Sequence, residues 1–527
     1  VIRELEEMSA QEHDVLIAGG GIQGVAIARE VAASGMTVAL VEQDDFGART
    51  SANSQRMIHG GMRYLQTLDF ARMRRSALDR REWMAEFPHL IRPVPILLPT
   101  FEGRGKPRWM ISCGMTLYES LTADCNHGLP PAIRLPRHEK WTREQVLEAL
   151  PELEEHGVAG GVLFHDALVL NTERLTLSVA KEAWKAGARL ANHARAQQWI
   201  MENGTVRGAI VRDLLTGREH AVRARAVIHA GGPWAARQGE PRVRLVRVMA
   251  LLLPSLEPRF AIAVPGPKEN RLFFLTPWRG RTLAGVQEAL HEGDSSEPVI
   301  SGEEIDAYLE ELQEAFGRGR FVRGDVVRVF AGLLPASTNE PRSPASEDRI
   351  LEDGSGVLRV LGVKYTTAPS LARRVAQMMR DRLGRGGARS AGRQGEKSAS
   401  LPRENDPLFL YGPEAEEIRA LENESPDLRR PLVEGCGVVR AQVVHAVRRE
   451  MAMTLCDIAL RRTELASFEA PGEPAMNACA DLAGQLLGWD ERRRREEISE
   501  LIKSLEKPAE IGSLSSPQPP LRASDEN

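Results

Sequence analysis

The sequence predicts an α/β protein: a doubly wound, mostly parallel sheet, a mixed α+β domain inserted into it, and an all-α domain at the C-terminal end. Three observations predict this. A strand, a glycine turn, a helix and a second strand follow one another within residues 14–45. Two more apolar runs of buried-strand type, at 224–230 and 357–363, return far downstream. Beyond residue 400 the apolar residues recur at helical spacing among alternating charges.

Each element has a local cause. Val15 to Ala18 is a short apolar run halted by Gly19, Gly20 and Gly21. Residues 22–33 are good helix formers with apolar positions at helical spacing, and Gly35 is placed to end the helix. Residues 36–41 form a second buried-strand run, ending at Glu42, so the front of the chain is one βαβ unit. The run ARAVIHA at 224–230 leads into Gly231, Gly232 and Pro233; VLRVLGV at 357–363 leads into Lys364 and a helical stretch from Ser370. Residues 271–286 read as a hairpin turning at Trp278, Arg279 and Gly280. The stretches 438–465 and 475–505 carry helical spacing.

Composition bounds the function. The 527 residues are 42% hydrophobic and 27% charged, which excludes wholesale disorder. The balance of 69 basic and 73 acidic residues, a net charge of −4, argues against a nucleic-acid partner. The 5 cysteines are scattered with no C-x-x-C pair, so neither a metal site nor a disulfide framework is expected. They read as buried small hydrophobes. No apolar run approaches the ~20 residues that span a bilayer. The first 13 residues are a polar leader without an apolar signal region, so a cytoplasmic protein is expected.

The front motif carries the chemistry. Gly19-x-Gly21-x-x-Gly24 lies between strand and helix: Gly19 permits the tight turn, Gly21 lets a pyrophosphate approach the backbone, and Gly24 lets helix and strand pack closely. This is the Rossmann-like arrangement, with phosphates at a helix N-terminus. Glu42 is placed to accept hydrogen bonds from a ribose diol, and its charge repels a 2′-phosphate, which disfavours NADP. The following loop separates FAD from NAD. Thr50, Ser51, Asn53 and Ser54 offer groups to phosphate or ribitol oxygens; His59, Gly60 and Gly61 allow backbone to approach a flat ring; Arg63 sets a cation beside it. An NAD enzyme has no general need for such a loop.

These residues are also recognisable. TSANSQRMIHGGMRYLQ (50–66) resembles the signature of the FAD-dependent, quinone-linked glycerol-3-phosphate dehydrogenases, as do FPHLIRPVPILLP (87–99), HAGGPWA (229–235), the FFLTPWRG hairpin and GVKYTT (362–367). The segment 438–462, with LGWD at 487–490, is similar to that family's helical C-terminal domain. The resemblance implies a Rossmann-like FAD-binding domain made of residues 14–100, 160–235 and 340–383. It further implies a substrate domain made of 101–159 and 236–339 and a helical domain at 401–506; by composition the Gly/Arg/Ser-rich run 384–400 reads as a linker and the Ser/Pro-rich end, 507–527, as a disordered tail.

It implies oxidation of a secondary alcohol, glycerol 3-phosphate to dihydroxyacetone phosphate, with hydride passing to flavin N5 and electrons onward to a quinone or other acceptor. Such a protein would be cytoplasmic, with peripheral contact at the inner face of the cell membrane. By the family pattern Gly19, Gly21, Gly24 and Glu42 bind the ADP half; Thr50, Ser51 and Ser54 bind the phosphate–ribitol region. His59, Gly60, Gly61, Gly231, Gly232, Pro233 and Lys364 lie by the flavin. Arg63, Tyr64 and Lys364 bind an anionic substrate, and His59, with Arg63 and Lys364, forms the catalytic group, His59 as proton acceptor or else as a structural residue of the turn.

Four departures cluster around the expected substrate pocket. Leu334 stands where the family carries an arginine for the substrate phosphate, and leucine offers neither charge nor donors. The segment from Arg247 to Ala250 lacks a histidine, that from Ala284 to Gln287 replaces a Gly-Thr-Thr-Asp run, and no arginine follows Thr366 and Thr367. With the FAD signature intact, a different hydroxy acid, polyol or amine stays open as substrate, as does a flavin-binding protein without turnover.

Other features carry bland readings. The basic run 72–81 could meet anionic lipid but is interrupted by Asp79 and followed by Glu82, so it reads as a solvated helix face. The four arginines 492–495 read as exposed helix among glutamates. His165 and Asp166 are adjacent on a strand and point to opposite faces, so they read as structural rather than as a base and its orienter. Trp234 and Trp278 are expected to pack between domains.

Overall fold

His13–Ala18 is buried along its length and pairs in parallel on both sides, with Val38–Val41 and with Glu219–His229. It is the centre of an 8-stranded sheet in a computed structural model. The structure describes residues 2–385 and 406–505, apart from 104, 239–240, 258, 267–271, 293–296, 317–320 and 469. Outward from the centre, Val38–Val41 pairs in parallel with Arg189–Ala191, and Glu219–His229 with Leu358–Leu361, whose other neighbour Arg349–Glu352 is an antiparallel edge. Ala194–Glu202 and Thr205–Asp213 add an antiparallel hairpin to the start of Glu219–His229. The helix Ile22–Ala33 packs on the sheet beside Thr172–Lys185 and Ala368–Arg382. Its apolar stripe from Ile22 to Ala32 belongs to one core with Val15, Ile17, Val38 and Leu40. Gly35, at φ +82°, ends the helix in the left-handed region as its position suggests.

The second sheet has 9 strands in the order Arg328–Pro335, Leu245–Pro254, Arg281–Leu290, Leu272–Trp278, Ala261–Pro265, Ile91–Phe101, Val158–Val169 and Met57–Ile58, with Glu139–Trp141 alongside Val158–Val169. The expected hairpin is there, Trp278 pairing with Arg281 across Arg279 and Gly280. Ile91–Phe101 and Val158–Val169 are long antiparallel partners in this sheet, although most of their residues fell in the stretches 14–100 and 160–235 assigned to the nucleotide-binding part. Helix Gly302–Phe316 covers its apolar face through Ile305, Tyr308, Leu309 and Leu312.

The C-terminal region is helical, but in shorter pieces than the spacing suggests. Arg440–Arg449 stops at Glu450, Met451 turns with φ +56°, and the chain resumes as a wide turn of helix over Asp457–Arg462. Gly488, at φ +71°, divides Glu473–Leu487 from Glu491–Leu505. The arginines 492–495 lie exposed or half-exposed, paired with Glu496, Glu497, Asp481 and Glu491.

Buried ion pairs fasten this region to the first sheet. Arg174 forks onto Glu450 with contacts of 2.7–2.8 Å, and Lys181 reaches both Glu450, at 3.3 Å, and Glu414, at 2.6 Å. Arg461 and Arg462 hold Asp45 at 2.5–2.7 Å, and His193 meets Asp457 at 2.8 Å. Trp278 joins the hairpin to this region: Phe468 lies 4.9 Å from its ring and the Arg56 guanidinium 4.0 Å.

Within the polar leader Leu5–Ser9 is helical, with Leu5 and Met8 buried against the sheet, and Arg3 is paired with Asp213. Two expectations change. Of the cysteines only Cys479 is buried, and Cys113 is exposed. The run 72–81 is not a uniformly solvated face, because Asp79 and Arg80 are buried. The expected linker beyond Arg385 and the expected tail lie outside the described residues. Among the described residues no helix is long and apolar enough to cross a membrane.

Candidate active site

The central strand ends where its neighbours part in chain order, Val38–Val41 to one side and Glu219–His229 to the other, so a crevice opens beyond the strands' carboxyl ends. Gly19 sits there at φ +115°; a Cβ on it would lie 2.6 Å from the Ala230 carbonyl carbon. A Cβ on Gly24 would overlap the Gly19 carbonyl oxygen. Gly21 precedes the helix Ile22–Ala33, and the Ile22 N–H donates to Ser51 Oγ at 3.0 Å. The helix start, with the positive end of its dipole, therefore faces the crevice.

Glu42 closes the other side. Its carboxylate accepts from Gly20 N–H at 2.5 Å and from Asp44 N–H at 2.8 Å. Burial first, and then the Asp44 carboxylate, pushes it up to about 7. Thr50 Oγ1 accepts from Leu333 N–H and donates to its carbonyl, both at 3.3 Å, which ties the loop to the second sheet. Ser54 Oγ accepts from Arg56 N–H at 3.2 Å. Gly232, at φ +55°, caps the short helix Pro233–Arg237, and Gly231 packs on His229.

One cleft of about 3560 Å³ joins these residues to the second sheet. Gly19, Gly21, Glu42, Thr50, Ser51 and Ser54 line it, as do Gly231, Gly232 and Pro233; His59, Gly61, Arg63, Tyr64 and Lys364 line it too. Gly24 and Gly60 stand behind its wall. Lys364 Nζ contacts the Tyr64 hydroxyl and lies 4.9 Å from the centre of its ring. Arg63, the next residue along, is exposed, and among the described residues its guanidinium makes no hydrogen bond or ion pair. Gln23 reaches from the helix start to the Lys364 carbonyl at 2.9 Å, linking both ends of the cleft.

Leu334 and Ala250 line the wall where the family pattern would put an arginine and a histidine, with Val248 beside them. Arg247 turns away, to Glu304 and the Val299 carbonyl.

His59 lies at the heart of the cleft, its side chain 47% exposed. Its Nδ1 meets Asp166 Oδ2 at 3.1 Å, and its backbone N–H donates to Thr366 at 3.2 Å. His165 and Asp166 do face opposite ways, and the histidine that Asp166 meets is His59, 107 positions away. Register explains the meeting. Met57–Ile58 pairs with Ala167 and Leu168, which brings the turn after Ile58 alongside Asp166. Arg80 is held by the same carboxylate at 2.6 Å, which is why it is buried.

A second histidine chain, Ser112 to His138 Nε2 at 2.8 Å and His138 Nδ1 to Glu119 at 3.0 Å, has the order of a nucleophilic triad. Ser112 is 2% exposed within the helix Arg108–Leu121 and lies outside the cleft, so this chain is a brace.

A family model for "FAD dependent oxidoreductase" matches residues 14–378, and one for the "C-terminal domain of alpha-glycerophosphate oxidase" matches 400–494. The chain belongs to the FAD-dependent oxidoreductases. A glycerol-3-phosphate dehydrogenase of Mycobacterium bovis is 32% identical over 86% of this chain and 91% of its own. One from Synechocystis is 29% identical over 96% and 98%. A crystal structure of the glycerol-3-phosphate dehydrogenase of Bacillus halodurans, complexed with FAD, shares the fold with a TM-score of 0.71 at 22% identity, covering 95% of this chain and 96% of that one.

The residues present suit the cofactor of this oxidoreductase family. A side chain at Gly19 would strike the Ala230–Gly231 backbone and one at Gly21 would crowd Ser51 Oγ, so the turn stays bare where the helix start suits a diphosphate, and Glu42 offers a carboxylate at the strand end. The cleft is long enough to continue past Ser51 and His59 to Lys364.

Proposed function

We propose that this oxidoreductase converts glycerol 3-phosphate to dihydroxyacetone phosphate. The observation that carries the reading is that the glycine cradle, His59 and the Arg63–Tyr64–Lys364 group all line one cleft. FAD, when bound, supplies the two-electron acceptor for the carbinol hydride. Gly19, Gly21 and the helix start hold the diphosphate, Glu42 the ribose, and Ser51 the neighbouring phosphate–ribitol region. Gly61, Gly231, Gly232 and Pro233 leave backbone beside the ring system. Arg63 and Lys364 hold the substrate's phosphate by charge-assisted hydrogen bonds, and the Tyr64 hydroxyl keeps the lysine turned inward. The substrate hydroxyl then lies near His59, whose Nε2 takes its proton as the carbon–oxygen double bond forms.

A second reading rests on Leu334 and Val248, which make one wall of the cleft apolar. It keeps the reaction and exchanges the substrate for a hydroxy acid or polyol with a single anionic end. An anaerobic screen separates the two. Glycerol 3-phosphate should bleach the flavin absorption band of the purified protein; bleaching by an unphosphorylated hydroxy acid, with none by glycerol 3-phosphate, would reject the first reading.

For the electron acceptor we propose a quinone dissolved in an anionic bilayer, met at the helix Arg108–Leu121. Its outward face carries Trp109, 64% exposed, with Met110, Leu117 and Leu121, while Lys106 and Met110 also line the cleft mouth. The run 72–81 is less suited, since Arg72, Arg74, Arg80 and Arg81 are paired with carboxylates. Co-sedimentation with phosphatidylglycerol vesicles, lost in a Trp109→Ser/Leu117→Ser variant, is the expected result; equal binding by the variant would exclude this face.

A further inference from the structure

We infer that Asp166, held in place by Arg80 and Tyr118, is the positioning residue that keeps Nε2 of His59 free to accept the substrate's proton. This rests on the reading of His59 as the proton acceptor and names what makes it one.

The carboxylate sits in a dry, fully assigned socket. Its Oδ1 accepts from Arg80 Nη1 at 2.6 Å, Gly60 N–H at 3.0 Å and Ala167 N–H at 3.2 Å; its Oδ2 faces His59 Nδ1 at 3.1 Å. Burial works to raise the acid, but the Arg80 guanidinium and the His59 ring outweigh it and hold Asp166 below the usual carboxylate range. An ionised carboxylate has only acceptors to offer, so the Nδ1 that faces it must carry the hydrogen. The neutral ring then has its lone pair on Nε2.

Arg80 in turn is fixed by the Tyr118 hydroxyl at 3.1 Å, and that hydroxyl donates to the Gly60 carbonyl at 3.0 Å. Burial pushes Tyr118 up to about 12, so it remains a donor. The ring of contacts closes on the turn that carries His59. It also gives Gly60 a reason of its own: a Cβ there would overlap the Tyr118 hydroxyl and the Arg80 guanidinium. Phe274, with its ring centre 5.9 Å from that of His59, limits the ring from the other side.

In the reaction, the hydroxyl O–H bond breaks toward Nε2, the carbinol C–H electron pair leaves as hydride to the cofactor, and the carbonyl forms. The proton stays on the ring until solvent removes it through the open cleft. Asp166 neither gives nor takes a proton; it selects the tautomer and stabilises the charged ring.

The test is Asp166→Asn in the FAD-loaded enzyme, read by stopped-flow flavin reduction with glycerol 3-phosphate. An asparagine amide can present N–H to Nδ1 and so move the ring hydrogen to Nε2. The expected result is a fall of about 10²-fold or more in the reduction rate, with flavin content and substrate dissociation constant unchanged. In a His59→Gln background the same substitution should cost nothing further, whereas general damage to the fold would add. Arg80→Gln/Asp166→Asn removes both buried charges together and serves if the single variant does not accumulate. A full additional loss in the His59→Gln background, or a loss confined to substrate affinity, would overturn the inference. Failure of glycerol 3-phosphate to reduce the wild-type flavin would instead reject the substrate; the inference is then tested with whichever alcohol does reduce it.

Discussion

Replacing Glu450 by glutamine should loosen the C-terminal helices more than any other single isosteric change in that region. The side chain is wholly buried and answers two cations, Arg174 through three contacts of 2.7–2.8 Å and Lys181 at 3.3 Å, with His445 Nε2 also at 3.3 Å. These attractions hold its carboxyl well below its usual range even though burial alone would raise it. The amide keeps the shape but removes the charge, so Arg174 and Lys181 are left in a dry interior with only Glu414, half-buried at the edge, to answer them. Breaking one partner of a buried pair costs about 3–5 kcal/mol, which is roughly two to four powers of ten in an equilibrium constant. Amide hydrogen exchange of Arg440–Arg449 reads this directly, because protection there reports the opening of the helix from the first sheet. Protection should fall by about that factor, and a variant with methionine at 174, 181 and 450 should regain most of it, since replacing the whole set by apolar groups is close to neutral. A protection factor within threefold of wild type in Glu450→Gln would refute the reasoning and make these contacts ornamental to docking.

Gly24→Ala should weaken FAD binding about 5- to 150-fold, the range for a core overpacked by 1–3 kcal/mol, because helix and strand must separate to admit the methyl group; titration of the deflavinated protein measures it. Lys364→Met should raise KM for a phosphorylated substrate about 10- to 100-fold, the weight of one charge-assisted hydrogen bond, while the flavin spectrum stays; an unchanged KM would remove the lysine from the anion site. Docking of the C-terminal helices should be strongest between pH 3.8 and 6.5. Burial works against a charged His193, but Asp457 outweighs it and raises its pKa, so the histidine's contribution is complete below 6.5 and fades as pH climbs through the raised value. Asp457 is held well below 3.8 despite burial, chiefly by His193, so its contribution is complete above 3.8 and goes only as pH falls through the lowered value. Exchange protection measured across pH should therefore decline on the alkaline side first.

What could be read from residue order was what depends on neighbours in the chain. The strand, the helix Ile22–Ala33, the stop at Gly35 and the terminal Glu42 all follow from local pattern, and they lie where the pattern puts them. The hairpin around Arg279 and Gly280 was legible for the same reason. Asp166 was not. Its strand position sets it apart from His165 but names no other partner, and only the antiparallel register of Met57–Ile58 against Ala167 and Leu168 delivers it to His59. Arg80 escapes for a related cause: in a run of arginines nothing local tells the buried one from its solvated neighbours, and what holds it is a carboxylate on a strand of the second sheet. A hint existed in Gly60, which had no turn of its own to explain it and is glycine because two side chains from distant helices fill its space. The breaks at Met451 and Gly488 escaped because periodicity survives a short interruption.

Asp45 stands three residues past Glu42, and among the described residues the cations that hold it are Arg461 and Arg462 of the C-terminal region, while Asn192 bonds both it and the Met451 carbonyl. The yellow colour of the protein should thus serve as a gauge of whether the helices between residues 406 and 505 are seated. Heat that lifts them off should free Asp45, slacken the bend behind Glu42 and release the coenzyme in the same step, and trimming the helical region away should bleach the remainder.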